Sequence, residues 1–468
     1  MAEPLWTSDE VLAATTGRLA GDGFSAGGVT FDTRELQPGD LFIALAGERD
    51  GHEFVAQAFE KGAAAALVSK PVEGGPHVLV GDTLKALEAL GAFARDRAPQ
   101  VRRGAVTGSV GKTSVTQAIA AGLRLAGPSH NSVKSFNNHI GVPLTLARMP
   151  RGTERAVFEI GMNHAEEIRP LSKMVQPHAV CVTTVGPVHI ENFPDGEAGV
   201  AKAKAEIFDG LGPGGMAVIN ADNRWFDQMK QAALHVGARV MGFGSDETAD
   251  ARLLDFQPDL NGARVSARIW GHDYVFTLAQ TGFHWGLNSL AVLLMLDALD
   301  VPMETGLQAL SEFQPLAGRG EERRVRVEGG EFVLIDESYN ANPMSMKATL
   351  ASLAVRRPED NGRRIVALTD MLELGPDADD LHAGLAEAIE QADVHQVFLA
   401  GPHMKALWGV LPESRRGAWA ATAAELSPQV TEAVRPGDLI MVKGSNGSKA
   451  SLIAKALAGL DFSARETG

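Results

Sequence analysis

Short apolar runs recur along the chain, each followed by a turn and then by apolar positions at helical spacing. Strand candidates fall at 63–69, 103–106, 156–160, 179–185, 216–220 and 239–243, and again at 332–336, 365–369, 396–400 and 439–442. Near-continuous apolar runs of this length imply parallel strands covered on both faces. Helical patterns occupy 54–61, 83–97 and 115–125. Two alternating stretches, 29–34 and 41–45, follow the Gly27-Gly28 turn. Alternation at 263–270 and 274–278 predicts an antiparallel appendage within 251–280. The pattern as a whole predicts an α/β protein in three units: 1–99, a central parallel-sheet unit at 100–314, and a further α/β unit at 315–468. A chain of 468 residues suits about three domains.

Composition narrows the function classes. Asp and Glu total 58 against 43 Lys and Arg, a formal net charge of −15. That balance argues against general nucleic-acid binding, which depends on cations neutralising phosphates. Glycine reaches 51 residues, above the usual ~7%, so turns and close backbone approaches must account for the excess. The single cysteine, Cys181, excludes an internal disulfide framework and fits a reducing compartment. The first residues carry neither a basic stretch nor an apolar one, so no leader is expected. The sequence has no apolar run of 18 or more residues, so no membrane-spanning helix is expected.

The segment Thr107-Gly108-Ser109-Val110-Gly111-Lys112-Thr113 follows an apolar strand and opens a helix. In that context it reads as a phosphate loop. Glycines turn backbone N–H groups inward, and the helix N-terminus adds donors and a positive dipole end. Lys112 can reach the β- and γ-phosphates, and the Thr113 hydroxyl can ligate Mg²⁺. The general pattern wants glycine where Val106 stands, so this is the shorter T-G-x-x-G-K-T variant. Alone, the loop predicts nucleotide binding without choosing among ligase, kinase, motor or GTPase. The absence of an Asn-Lys-x-Asp segment lowers the GTPase reading.

Further segments follow in order: Glu159-Ile160-Gly161-Met162-Asn163-His164 at a strand end, His189-Ile190-Glu191-Asn192, Lys202-Ala203-Lys204-Ala205-Glu206-Ile207-Phe208, His284-Trp285-Gly286-Leu287-Asn288, Gly318-Arg319-Gly320, and Asp336-Glu337-Ser338-Tyr339-Asn340-Ala341-Asn342-Pro343. Together they resemble the Mur ligase family of ATP-dependent amide-forming enzymes, over essentially the whole chain. Asn137-Asn138-His139-Ile140-Gly141-Val142-Pro143, Asp370-Met371-Leu372-Glu373-Leu374-Gly375 and Lys443-Gly444-Ser445 resemble the branch that adds D-alanyl-D-alanine to UDP-N-acetylmuramoyl-tripeptide. No D-N-P-R segment marks the sister that adds the third amino acid. That sister and a folylpolyglutamate synthase-like ligase are the alternatives. The sequence departs from the resemblance in two places. Trp285 stands where a polar residue is usual, and Thr369 precedes Asp370-Met371 where a glycine is usual.

The resemblance implies a UDP-substrate unit, a phosphate-loop ATPase unit and a Rossmann-like C-terminal unit. It implies ATP and two Mg²⁺ ions as cofactors, and a cytoplasmic bacterial enzyme of peptidoglycan synthesis; a monomer is expected. Lys112, Glu159, His189 and Lys204 would be catalytic. Thr113, Glu159, His189 and a carbamate on Lys204 would hold metal, with Lys202 the competing lysine. Asn288, Arg319, Asp336, Tyr339 and Asn340 would join Thr107–Thr113 in binding ATP. Asp32, Thr33, Arg34, Asn137, Asn138 and Asn163 would touch the UDP-linked substrate. Asp32 and Arg34 can equally pair with each other, Asp336 can serve as a cap, and Asn340 as a turn former.

Overall fold

The computed structural model describes residues 3–47, 49–133, 136–259, 262–359 and 361–462. Three sheets of five, nine and six strands follow one another along the chain, with a two-stranded pair, Trp6–Thr7 with Ser25–Ala26, at its start. The first runs, in spatial order, Arg18–Ala20, His77–Leu79, Ala65–Val68, Asp40–Ile43 and Gly28–Thr30, parallel except for its first pair. The expected strand at 29–34 stops at Thr30. The Asp32 carboxylate accepts the Arg34 backbone N–H at 2.9 Å and turns the chain there.

The central sheet explains the long apolar runs. Arg102–Thr107 pairs in parallel with Arg155–Glu159 on one side and Ala179–Val182 on the other, and Met216–Asn220 and Arg239–Gly244 extend it. Alternate residues serve opposite faces. Val106, Val157, Cys181 and Val218 pack under helices Lys112–Ala126 and Phe283–Ala298, while Ala105, Phe158, Val180 and Ala217 pack under Ile168–Val175 and Glu197–Ala205. Gly122 lets the first two helices touch, since a Cβ there would stand 2.6 Å from Leu296. The expected antiparallel appendage exists as Ala251–Asp259, Gly262–Ile269 and His272–Leu278. It continues the same sheet, because Ala251 and Arg252 pair in parallel with Phe243 and Gly244.

The last sheet orders Glu321–Val327, Gly330–Glu337, Leu439–Lys443, Arg364–Thr369, Gln396–Ala400 and Arg416–Ala420. Only its first pair is antiparallel. Phe332, Leu334, Ile365 and Ile440 face one layer of helices, and Ile335, Val366, Leu399 and Met441 the other. Ligands of such sheets bind beyond the carboxyl ends of parallel strands. Here the ends of two sheets, at Thr107, Glu159 and Val182 and at Glu337 and Lys443, lead into one cleft. No helix among the described residues is long and apolar enough to cross a membrane.

Candidate active site

The phosphate loop leaves strand Arg102–Thr107 and enters helix Lys112–Ala126 through Gly111, whose φ is +85°. Gly108, at φ +151°, leaves no room for a side chain, since a Cβ would lie 1.9 Å from Thr183 Oγ1. Thr183 in turn donates from Oγ1 to Val110 O at 2.5 Å, and Ser109 N–H donates to Thr184 O at 2.8 Å. Ser109 Oγ donates to Gly186 O. The segment after strand Ala179–Val182 thus holds the loop in shape. Lys112 folds back to donate to Gly108 O at 2.8 Å.

A cavity of about 430 Å³ opens over this loop. Ser109 to Thr113 form its floor, Glu159, Asn137, Asn163 and His189 one wall, His284, Trp285 and Asn288 another, and Arg319, Glu337, Tyr339, Asn340 and Lys443 the side from the last sheet. The Arg319 guanidinium lies 4.0 Å from the Tyr339 ring centroid, a cation–π contact that braces both. Lys443 is buried, with Nζ 3.4 Å from Glu337 Oε2 and 3.1 Å from Asn340 O. Burial pushes its pKa down, against the opposing pull of Glu337. Burial likewise lowers the pKa of His284.

Glu159 is 1% exposed. Its Oε1 accepts from Asn137 Nδ2 at 2.7 Å, while Oε2 is buried without a hydrogen-bond partner among the described residues. A buried carboxylate oxygen left unsatisfied is costly, and on a cavity that Thr113 of the phosphate loop also lines it suits a hard divalent cation. Lys204, on helix Glu197–Ala205, is 2% exposed. Desolvation, then the Lys112 charge, drive its pKa far below the lysine range. Lys202, two residues earlier, points to solvent. Burial lowers the pKa of His189, with Lys112 and Lys204 adding to the effect and Glu373 opposing it. His189 Nδ1 stands 2.6 Å from Glu373 Oε2. Thr113 and Glu159 offer the oxygen donors a hard divalent cation takes.

Other expected residues lie elsewhere. Thr107 is buried beneath the loop. Asp336 is outside the cavity lining; its carboxylate accepts the Ser338 N–H at 2.9 Å, and the neighbouring Glu337 faces the cleft instead. Asn138 caps the turn before helix Gly141–Ala147, accepting from the N–H groups of Ile140 and Gly141. Asp32, Thr33 and Arg34 belong to the first sheet's loops, away from this cavity. Arg34 pairs with Asp32 at 2.6 Å, and Thr33 Oγ1 donates to Gln57. Sequence reasoning singled out the segments holding Glu337 and Lys443 without giving either a role, and missed Thr183. Only strand-end position and the pairing of neighbouring loops would have indicated them.

Three family models match the chain: the Mur ligase family catalytic domain over residues 26–98, the Mur ligase middle domain over 106–296, and the Mur ligase glutamate ligase domain over 319–446. The UDP-N-acetylmuramoyl-tripeptide–D-alanyl-D-alanine ligase of Rickettsia prowazekii is 31% identical over 449 residues, 95% of this chain and 98% of that protein. The ligase of the same name from Bacillus subtilis is 34% identical over 92% of this chain and 93% of its own. The crystal structure of MurF from Acinetobacter baumannii superimposes with a TM-score of 0.85 at 27% identity, covering 98% of this chain and 99% of that one.

Proposed function

This chain belongs to the Mur ligase family, and from that premise we propose that it joins D-alanyl-D-alanine to UDP-N-acetylmuramoyl-tripeptide, converting ATP to ADP and phosphate. The observation that carries this reading is identity of 31–34% with ligases of that name over 92–95% of the chain. A cleft between two sheets, with a phosphate loop on one and an arginine on the other, supports it.

A carboxylate is unreactive toward an amine because its oxygen is a poor leaving group. The reaction therefore takes two steps. A carboxylate oxygen attacks the γ-phosphorus of ATP, the bond to the β-phosphate oxygen breaks, and ADP leaves an acyl phosphate. The dipeptide amine then attacks the acyl carbon, phosphate departs with the bonding pair, and the amine proton passes to solvent or base. Phosphoryl transfer of this kind needs positioning and positive charge more than covalent help. The loop N–H groups and Lys112 would hold the phosphates, as would Arg319 with its permanent charge and planar fork. Asn288 and Trp285 would meet the base. Glu337, held by Lys443, is suited to the ribose hydroxyls, with Asp336 shaping the turn beneath. Tyr339 and Asn340 complete that wall.

Two Mg²⁺ ions, held by Thr113 and Glu159 and by His189 with a carbamate on Lys204, would neutralise charge developing on the transferred phosphoryl group. A carbamate forms when the neutral amine attacks CO₂, making an N–C bond and releasing one proton. The burial that strips Lys204 of its charge favours that step. Residues 1–99 would take the uridine end through the loops of Asp32, Thr33 and Arg34, residues 100–314 ATP, and residues 315–468 much of the dipeptide. Asn137 and Asn163, which line the cavity, would meet the peptidyl substrate. The single buried cysteine agrees with work in the bacterial cytoplasm.

The test is ADP release measured with each substrate alone and together. Release is expected only when UDP-tripeptide and D-alanyl-D-alanine are both present. Release indifferent to the dipeptide, or greater with a single amino acid or glutamate, overturns the assignment.

A further inference from the structure

The central sheet carries a second cavity, at the end opposite the phosphate loop. Its volume is about 630 Å³, against about 430 Å³ over the loop. Strands Arg102–Thr107, Ala179–Val182, Met216–Asn220 and Arg239–Gly244 are neighbours in the sheet, and the cavity runs along their amino ends. The six residues of Arg102–Thr107 rise ~3.3 Å each, which puts the loop about 16 Å away. Four cations line this cavity: Arg102, Arg103, Lys173 and Arg239. Its one lining carboxylate, Asp209, is paired with Arg169.

Helices Ile168–Val175 and Phe283–Ala298 also end here, and their carbonyls account for part of the charge. Arg102 Nη2 donates to Ala298 O at 3.3 Å, and its Nε stands 2.9 Å from Asp300 Oδ2. Arg103, 6% exposed, donates from Nε to Val175 O at 2.9 Å and from Nη1 to Val101 O at 3.1 Å. Its Nη2 has no partner among the described residues. No carboxylate pairs with it there either, since Asp96, whose charge reaches it, is held by Arg95. A buried charge without a counter-ion is costly. Lys173 and Arg239, both exposed, make no hydrogen bond or ion pair among the described residues. Glu166 and Asp297 feel their charges from beyond ion-pair distance. The resulting field shows at His178, which lines the same cavity. Burial, then the charges of Arg103 and Arg102, lower its pKa, with Asp300 opposing.

We propose that this cavity is an anion site separate from the nucleotide cleft, and that it takes a small molecule carrying two or more linked phosphates. Arg103 offers the free edge of a planar fork to one phosphate. Lys173 and Arg239 add charge from a helix end and from another strand start. The chain as a whole carries −15, so the attraction is local to these side chains. A cavity of this size suits a molecule as large as a nucleotide or a sugar phosphate, and a bare phosphate would leave most of it empty. The bound phosphates supply the counter-ion that Arg103 lacks.

The site does not depend on the reaction proposed above. Its test uses the full chain with Lys112→Ala, which lowers the affinity of the cleft for phosphates, in buffer without divalent metal. Calorimetric titration with sodium tripolyphosphate in about 0.15 M NaCl, where exposed charges are screened, is expected to show one site per chain. Adding Lys173→Glu and Arg239→Glu, both at exposed positions, should weaken binding about 10–100-fold. The same pair in the otherwise unchanged chain should leave melting temperature and turnover near those of the parent. Inorganic phosphate should bind at least about tenfold more weakly than tripolyphosphate. Absence of binding, or binding indifferent to the charge reversals, overturns the proposal. So does affinity present at about 0.02 M NaCl and gone at about 0.15 M, the mark of screened surface attraction. Phosphate binding as tightly as tripolyphosphate overturns the ligand class.

Discussion

Lys204 sets stability against function in a way that can be measured. Its side chain lies on a helix otherwise suited to apolar packing, with Val200, Ala201 and Ala203 buried around it. The residue is 2% exposed, and desolvation holds the amine's pKa far below the lysine range. Taking a polar group out of water costs about 1–3 kcal/mol in protein mutational data where hydrogen bonds do not make up for it. Methionine has a similar unbranched stem, and near-isosteric exchange inside a core costs less than about 1.5 kcal/mol. The Lys204→Met protein, prepared free of CO₂ and nucleotide, is therefore expected to be more stable by about 1 kcal/mol. For a unit of this size that is a rise of about 2–4 °C in melting temperature. Turnover should fall by about 10²–10³-fold, the usual loss when one charge-stabilising group is removed from an active site. Lys202→Met on the exposed face should shift stability by less than about 0.5 kcal/mol and leave turnover intact. Calorimetric melting and coupled ADP release read the two quantities on the same preparation. A Lys204→Met protein that melts several degrees lower, or turns over normally, refutes the view that this lysine is kept, at a cost in stability, for its chemistry.

What could be read from sequence was local chemistry. Gly108, Gly111 and Lys112 announce a phosphate loop because backbone conformation and anion binding there depend on a few adjacent residues. The strands of the central sheet were legible because burial on both faces makes them continuously apolar. The same continuity hides which residue at a strand end faces the cleft. Asp336 and Glu337 are equal in the sequence, yet the first caps a turn and the second lines the cavity. Asn137 and Asn138 divide in the same way, one on Glu159 and the other on a helix start. Lys202 and Lys204, two residues apart on a helix of alanines, fall on different faces, and nothing in that composition says which is buried. Strand Glu321–Val327 escaped because it is an edge strand rich in charge, with Val325 its one buried residue. The His189–Glu373 contact joins residues far apart in the chain, so no local pattern could carry it.

Three other outcomes are expected. Gly108→Ala should destabilise the central unit by about 2–4 kcal/mol, from overpacking against Thr183 and a left-handed backbone. Urea unfolding and nucleotide binding check this, and Thr183→Ala in the same chain should recover part of the loss; simple additivity would show that the clash is not the cause. ATP binding should change tryptophan fluorescence through Trp285, which lines the cavity beside Asn288. Most of that change should vanish in Trp285→Phe, and its persistence would place the base elsewhere. The last outcome concerns acid. His130 is half-buried beside Phe158, its Nε2–H donating to Thr145 O at 2.7 Å, and desolvation pulls its pKa down to about 4. The unfolded chain takes a proton there near pH 6.5 while the folded one does not until about pH 4. Its contribution is therefore intact above pH 6.5 and is lost as pH falls, by up to about 3 kcal/mol at pH 4. His130→Gln should flatten that part of the stability profile between pH 6.5 and 4. Equal acid sensitivity in wild type and variant would mean that other groups drive the loss.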